Sequence, residues 1–143
     1  MRPIISGLFA LVLVAAAIPP AAAEEAPGTA QGAIRGVIER QLQAFQQDDG
    51  AAAFSYASPM IQRQFRTAER FMTMVRRGYP SVYRPQSVEF RGIEFNEGYA
   101  VQEVFFLGPD GRPELALYFM ELQEDGSWKI NGVRMTAAPD AII

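Results

Sequence analysis

The apolar residues of this chain change period near Ser87, from the three-and-four spacing of a helix face to the alternation of a strand. Before that point Ile34, Val37, Ile38, Leu42 and Phe45 fall along one side of a helix expected to end near Gln47. Phe71, Met74 and Val75 form the stripe of another, which stops at Gly78. After it come four alternating stretches: Ser87 to Phe95, Tyr99 to Leu107, Glu114 to Leu122 and Ser127 to Met135. Asn96-Glu97-Gly98, Pro109-Asp110-Gly111 and Glu124-Asp125-Gly126 separate them. Turns this short join antiparallel neighbours, because a parallel pair needs a long crossover. The order therefore predicts an α+β fold, with N-terminal helices packed on the concave face of a curved four-stranded antiparallel sheet.

Finer signals fill in this frame. Asp48-Asp49-Gly50 combines a glycine stop with a carboxylate cap for a short helix over Ala51 to Tyr56, and Ser58-Pro59 and Thr67 open two more. Tyr79-Pro80 and Arg84-Pro85 push the residue before each proline into extended backbone, so Tyr79 to Pro85 reads as a rigid loop. The alternation breaks at Arg91-Gly92 and again at Gly132, which predicts β-bulges that bend the sheet. The two middle strands are apolar on both sides: Tyr99, Val101, Phe105, Leu115, Leu117 and Phe119 on one, Val104, Phe106, Tyr118, Met120 and Leu122 on the other. Either helices or the tail cover both faces, or the second face meets a partner subunit in a homodimer.

The start of the chain carries Arg2, an apolar run from Leu8 to Ile18, Pro19-Pro20 and Ala21-Ala22-Ala23, the pattern of a secretory signal cleaved near Ala23. The run is too short to span a bilayer, and no later segment reads as an integral membrane span. The expected location is periplasmic or secreted. Removal of residues 1–23 from the 143 leaves 120, enough for one domain. Residues 24–31 read as a flexible lead-in, 32–136 as the domain and 137–143 as a C-terminal tail. With no cysteine and no histidine, thiolate and imidazole chemistry are unavailable, and no spacing of carboxylates suggests a metal site or any cofactor. Once Arg2 is removed, 12 basic side chains face 16 acidic ones, a balance that disfavours nucleic acid as a partner.

Three stretches carry a resemblance. Ala53 to Phe65 (AFSYASPMIQRQF), Phe71 to Pro85 (FMTMVRRGYPSVYRP) and Leu115 to Met135 with Gly126-Ser127-Trp128 resemble a family of exported Gram-negative bacterial proteins, domain of unknown function 4864. The resemblance runs from Ile34 to Met135. It implies a cone similar to the cystatin-like and nuclear-transport-factor-like superfamily, in which helices and a curved sheet enclose a pocket and the outer sheet face often dimerises. It implies no activity. Ketosteroid isomerase and several dehydratases and cyclases share that architecture, but no motif here matches their catalytic residues, and fold alone does not settle function.

Residues able to carry chemistry are few. Arg63, Arg66, Arg70, Arg76, Arg77 and Arg84 lie close in sequence with only Glu69 opposing them, which suits either an anion site or a solvated helix face. Gln62, Arg63, Tyr79, Tyr83 and Arg84 sit where a cone would have its mouth and are the ligand-binding candidates; the competing reading has the tyrosines pack the proline loop. Glu103, between Val101 and Phe105, is the leading catalytic candidate, because a buried carboxylate there would act as an acid or base; Asp48 and Asp49 read as caps first and as catalytic candidates a distant second. The competing reading pairs Glu103 with Arg134. The sequence therefore favours a non-catalytic module that binds a small apolar or anionic ligand or a protein partner. The alternative is a cofactor-free lyase or isomerase using a pocket carboxylate and a tyrosine.

Overall fold

The computed structural model describes residues 27–137. Five helices, α1 (Pro27–Gln46), α2 (Gly50–Ser55), α3 (Pro59–Phe65), α4 (Ala68–Gly78) and α5 (Pro80–Tyr83), precede four strands, β1 (Ser87–Asn96), β2 (Tyr99–Leu107), β3 (Pro113–Leu122) and β4 (Trp128–Ala137). The strands form one antiparallel sheet in the order β1-β2-β3-β4, as the glycine turns require. Gly98, Gly111 and Gly126 each hold a positive φ of 72°, 79° and 85° in those turns, a conformation that a side chain would strain. Register shifts between Phe90 and Ile93, and opposite Asn131 between Phe119 and Met120, are the two predicted bulges.

Side-chain caps hold the helix starts. Asp49 accepts from the Ala52 amide, Ser58 from Ile61 and Thr67 from Arg70. Three expectations need correction. α1 begins at Pro27, inside the segment read as lead-in, because proline fits the first turn of a helix and Ala30 already packs into the core. Gly50 starts α2 rather than stopping α1; the reversal is made by Asp48 at φ 53°, and a Cβ on Gly50 would stand 2.9 Å from Met72. The stretch read as a rigid loop contains α5. The rule for residues before proline holds at Tyr79 and Arg84, which are not helical, but Pro80 itself starts a turn closed by Tyr83 and Arg84 amides on Tyr79 and Pro80 carbonyls. The signal sequence, residues 24–26 of the lead-in and residues 138–143 of the tail lie outside the described residues.

The helices cover one face of the sheet. That face, Ala100, Gln102, Val104 and Phe106 with Ala116, Tyr118, Met120, Trp128 and Ile130, is buried against Ile34, Val37, Ile38, Leu42 and Phe45 of α1 and Phe71, Met72 and Val75 of α4. β4 is stitched to the helical layer by main chain: the Ser58 amide donates to Ile130 and the Ile130 amide to Tyr56, at 2.8 and 2.9 Å. The Ser58 hydroxyl, itself fully buried, donates to Asn131 in the second bulge at 2.7 Å. Cap, bridge and bulge thus fix where α3 meets the sheet.

Candidate functional site

A cavity of about 280 Å³ opens between α3, α4 and the inner side of β4. Its floor is made of buried groups: Phe45, Phe71, Val75, Val82, Ala57 and Ile130. Its mouth is made of partly exposed ones: Ile61, Gln64 and Phe65 from α3, Met74 from α4, Tyr79, and Gly132 and Val133 from β4. The floor is apolar because α1 and α4 turn their hydrophobic stripes toward the same hollow. Phe71 sits in an aromatic group, with ring centroids 6.1, 5.3 and 5.8 Å from Phe45, Phe54 and Phe65. Gly132 and Val133, just past the second bulge, form the sheet side of the cavity mouth.

Few polar groups reach it. The buried Gln41 donates its amide nitrogen to the Ala53 carbonyl at 3.1 Å, and the Tyr79 hydroxyl donates to the Val133 carbonyl at 3.3 Å. Both of these donors are engaged by backbone, and the third polar side chain of the lining, Gln64, is exposed at the mouth. Among the described residues no carboxylate and no arginine lines this cavity. A volume at the low end for small-molecule sites and an apolar wall suit burial of an uncharged aliphatic or aromatic group.

Of the five sequence-predicted binding residues only Tyr79 lines the cavity. Gln62 turns its amide onto the Phe54 and Ala57 carbonyls at 3.3 and 3.0 Å, a structural role at the α2–α3 junction. Arg63 lies with Arg66, Pro59, Phe54 and Gln62 along a shallow depression on the outside of α3. Tyr83 and Arg84 form a knot with Asp48: Tyr83 donates its hydroxyl to one carboxylate oxygen, and Arg84 reaches the other at 3.0 Å while also donating to the Phe45 carbonyl. The Tyr83 hydrogen bond, reinforced by the Arg84 charge, holds the Asp48 carboxyl below its usual range. That knot caps the C-terminal carbonyls of α1 and ties α1 to α5.

Glu103 stands on the other side of the sheet. It alternates with the inner residues Gln102 and Val104, sits half-buried among Val101, Phe105 and Leu117, and lies in a row that continues through Leu117 to Arg134. No salt bridge joins it to Arg134 among the described residues. The carboxylate proposed for pocket chemistry and the pocket are thus separated by the thickness of the sheet. What sequence reasoning missed is that Phe71, Met74 and Val75, read as a core stripe, line a hollow. A helix stripe and a cavity wall carry the same residues, and only the packing of the elements around them distinguishes the two.

These features define a class, an α+β protein whose helices cap a curved antiparallel sheet around an apolar hollow. Within that class the chain belongs to the family described as domain of unknown function (DUF4864), which it matches over residues 28–143. Among solved structures it is similar to a crystal structure described as an NTF-2 like protein of unknown function from Burkholderia xenovorans LB400. The two are 17% identical with a TM-score of 0.48, and the likeness covers 78% of this chain and 89% of the other. None of the curated proteins matches the chain.

Proposed function

We propose that this is an exported envelope protein whose domain is a non-catalytic binding module, and that the cavity beneath α3 and α4 takes a small apolar ligand. The observation that carries this reading is the half-open hollow whose buried floor is apolar apart from Gln41, with Gln41 and Tyr79 both engaged by backbone and Gln64 exposed at the mouth. A lyase or isomerase reaction would need a carboxylate in that hollow, and among the described residues none lines it. Octanol is the simplest probe. At one hundred times its dissociation constant it should stabilise the native state by about 2.7 kcal/mol. Ile61→Trp, which fills the mouth, should remove that stabilisation. Absence of binding by octanol and by its anionic and aromatic relatives in calorimetry would sink the reading. Export rests on the signal pattern of residues 1–23 and is checked by fractionation, with retention in the cytoplasm as the contrary result.

A second reading, homodimerisation through the outer sheet face, is favoured by the run of half-exposed apolar side chains there: Val101, Phe105, Leu115, Leu117 and Phe119. Arg91 and Arg134 lie over the Phe105 and Phe119 rings, at 4.3 and 5.9 Å from the centroids, and rim that patch with charge. Leu117→Arg in its middle should weaken self-association at least tenfold in sedimentation velocity. A wild-type chain that sediments as a monomer at high concentration would remove this reading.

A further inference from the structure

The six clustered arginines do not act as one group. α4 divides them. Its one flank, Glu69, Thr73 and Arg76, faces Asp48 and Gly50 across a shallow depression, so the acids and Arg76 share that side. Its other flank carries Met74, which lines the cavity mouth, with Arg70 four residues before it and Arg77 three after. That spacing puts the three side chains on one helix face. Arg70 and Arg77 are both exposed, and among the described residues neither forms an ion pair. Arg63 and Arg66 belong to the separate depression outside α3, and Arg84 is committed to Asp48.

The result is an apolar hollow with no charged side chain in its wall, and two exposed arginines that share a helix face with Met74 at its mouth, each about one helical turn from it. From this we infer that the ligand is an anionic amphiphile: a single aliphatic chain in the hollow with a carboxylate or comparable oxyanion head held at Arg70 and Arg77. The inference rests on the proposed role of the cavity and adds the head group. The lack of an ion pair among the described residues matters, because a carboxylate bound to Arg70 or Arg77 would satisfy the guanidinium groups and repel the head. Guanidinium binds such oxyanions through paired hydrogen bonds, while the desolvated chain supplies non-directional affinity.

Octanoate, octanol and octyltrimethylammonium share one chain and differ only in charge. Titrated into the full protein by calorimetry at low salt, octanoate should bind about tenfold more tightly than octanol, and the cation most weakly. The preference should shrink as salt is raised. The ratio of octanoate to octanol affinity is the decisive readout. In Arg70→Gln/Arg77→Gln it should fall to about one. Arg70→Lys/Arg77→Lys keeps the charge but loses the bidentate fork, and should restore part of the ratio. Arg63→Gln/Arg66→Gln removes the same net charge from the far depression and should leave the ratio at the wild-type value. Melting curves without ligand check that each variant is folded. Equal binding of octanoate and octanol by the wild type, or equal loss in the two glutamine variants, overturns the anionic head and leaves the apolar cavity standing. If no probe binds, the cavity reading itself falls, and the head-group assignment with it.

Discussion

The two faces of the sheet carry nearly the same kinds of residue and have different fates. Along β2 and β3 the inner positions Val104, Phe106, Tyr118 and Met120 are fully buried, at 0–1% exposure, while the outer positions Val101, Phe105, Leu117 and Phe119 remain half-covered. Strand alternation made both rows apolar; the helices chose between them. The inner row is buried against α1 and α4, so its side chains carry stability. The outer row has no such layer within the described residues, so its side chains are free for another role.

Truncation separates the two rows most sharply. Phe106→Ala should cost about 3–5 kcal/mol, since it opens a cavity in a packed core, whereas Phe119→Ala on the outer face should cost about 1 kcal/mol in the monomer. Urea denaturation of both variants measures the contrast, and equal losses would break it.

The junction between helices and sheet should respond less strongly. Ser58→Ala removes the α3 cap and the hydrogen bond to Asn131, and should destabilise by about 1–2 kcal/mol in the same assay. Little or no loss would mean that the main-chain bridge at Ile130 alone fixes α3.

Tyr118 refines the picture of the inner row. Its hydroxyl is buried with no hydrogen-bond partner among the described residues, and burial pushes its ionisation far above the usual range. Tyr118→Phe keeps the ring beside Phe106 and removes the orphaned oxygen, so it should stabilise the fold by about 1 kcal/mol. Destabilisation of that size would show that the hydroxyl is satisfied in solution.

The smallest effect belongs to the exposed knot at Asp48. Its folded carboxyl titrates below the ordinary value of 3.8. The stabilisation it gives is therefore complete above that ordinary value and is lost as pH falls through the lower folded value. Asp48→Asn should flatten that acid limb only slightly in thermal melts taken across and below the ordinary carboxylate range, as expected for a solvent-screened group. An unchanged acid limb would mean the knot contributes nothing.

Much of this fold was legible before the structure. The change of period near Ser87, the three glycine turns and the phase breaks at Gly92 and Gly132 led directly to the meander and its bulges, because strand alternation and positive φ are local properties. The caps at Asp49, Ser58 and Thr67 were readable for the same reason. The reversal at Asp48 and the turn within Pro80–Tyr83 were not, since each depends on what packs beside it: Met72 against Gly50, and α1 against the Tyr83–Arg84 knot.

The candidate site shows the same division more strongly. Sequence marked Tyr79 and the arginines as chemically notable, but not that Tyr79 alone of its binding candidates lines the hollow. It could not tell that Glu103 points away from it, because alternation fixes that 102 and 103 face opposite ways without saying which way the helices lie. Local pattern therefore determined the elements, their order and the antiparallel pairing. The tertiary structure decided which sheet face became core and where helices and β4 left an apolar hollow between them. Those outcomes depend on long-range packing and sheet curvature, and no short stretch of the chain encodes them alone.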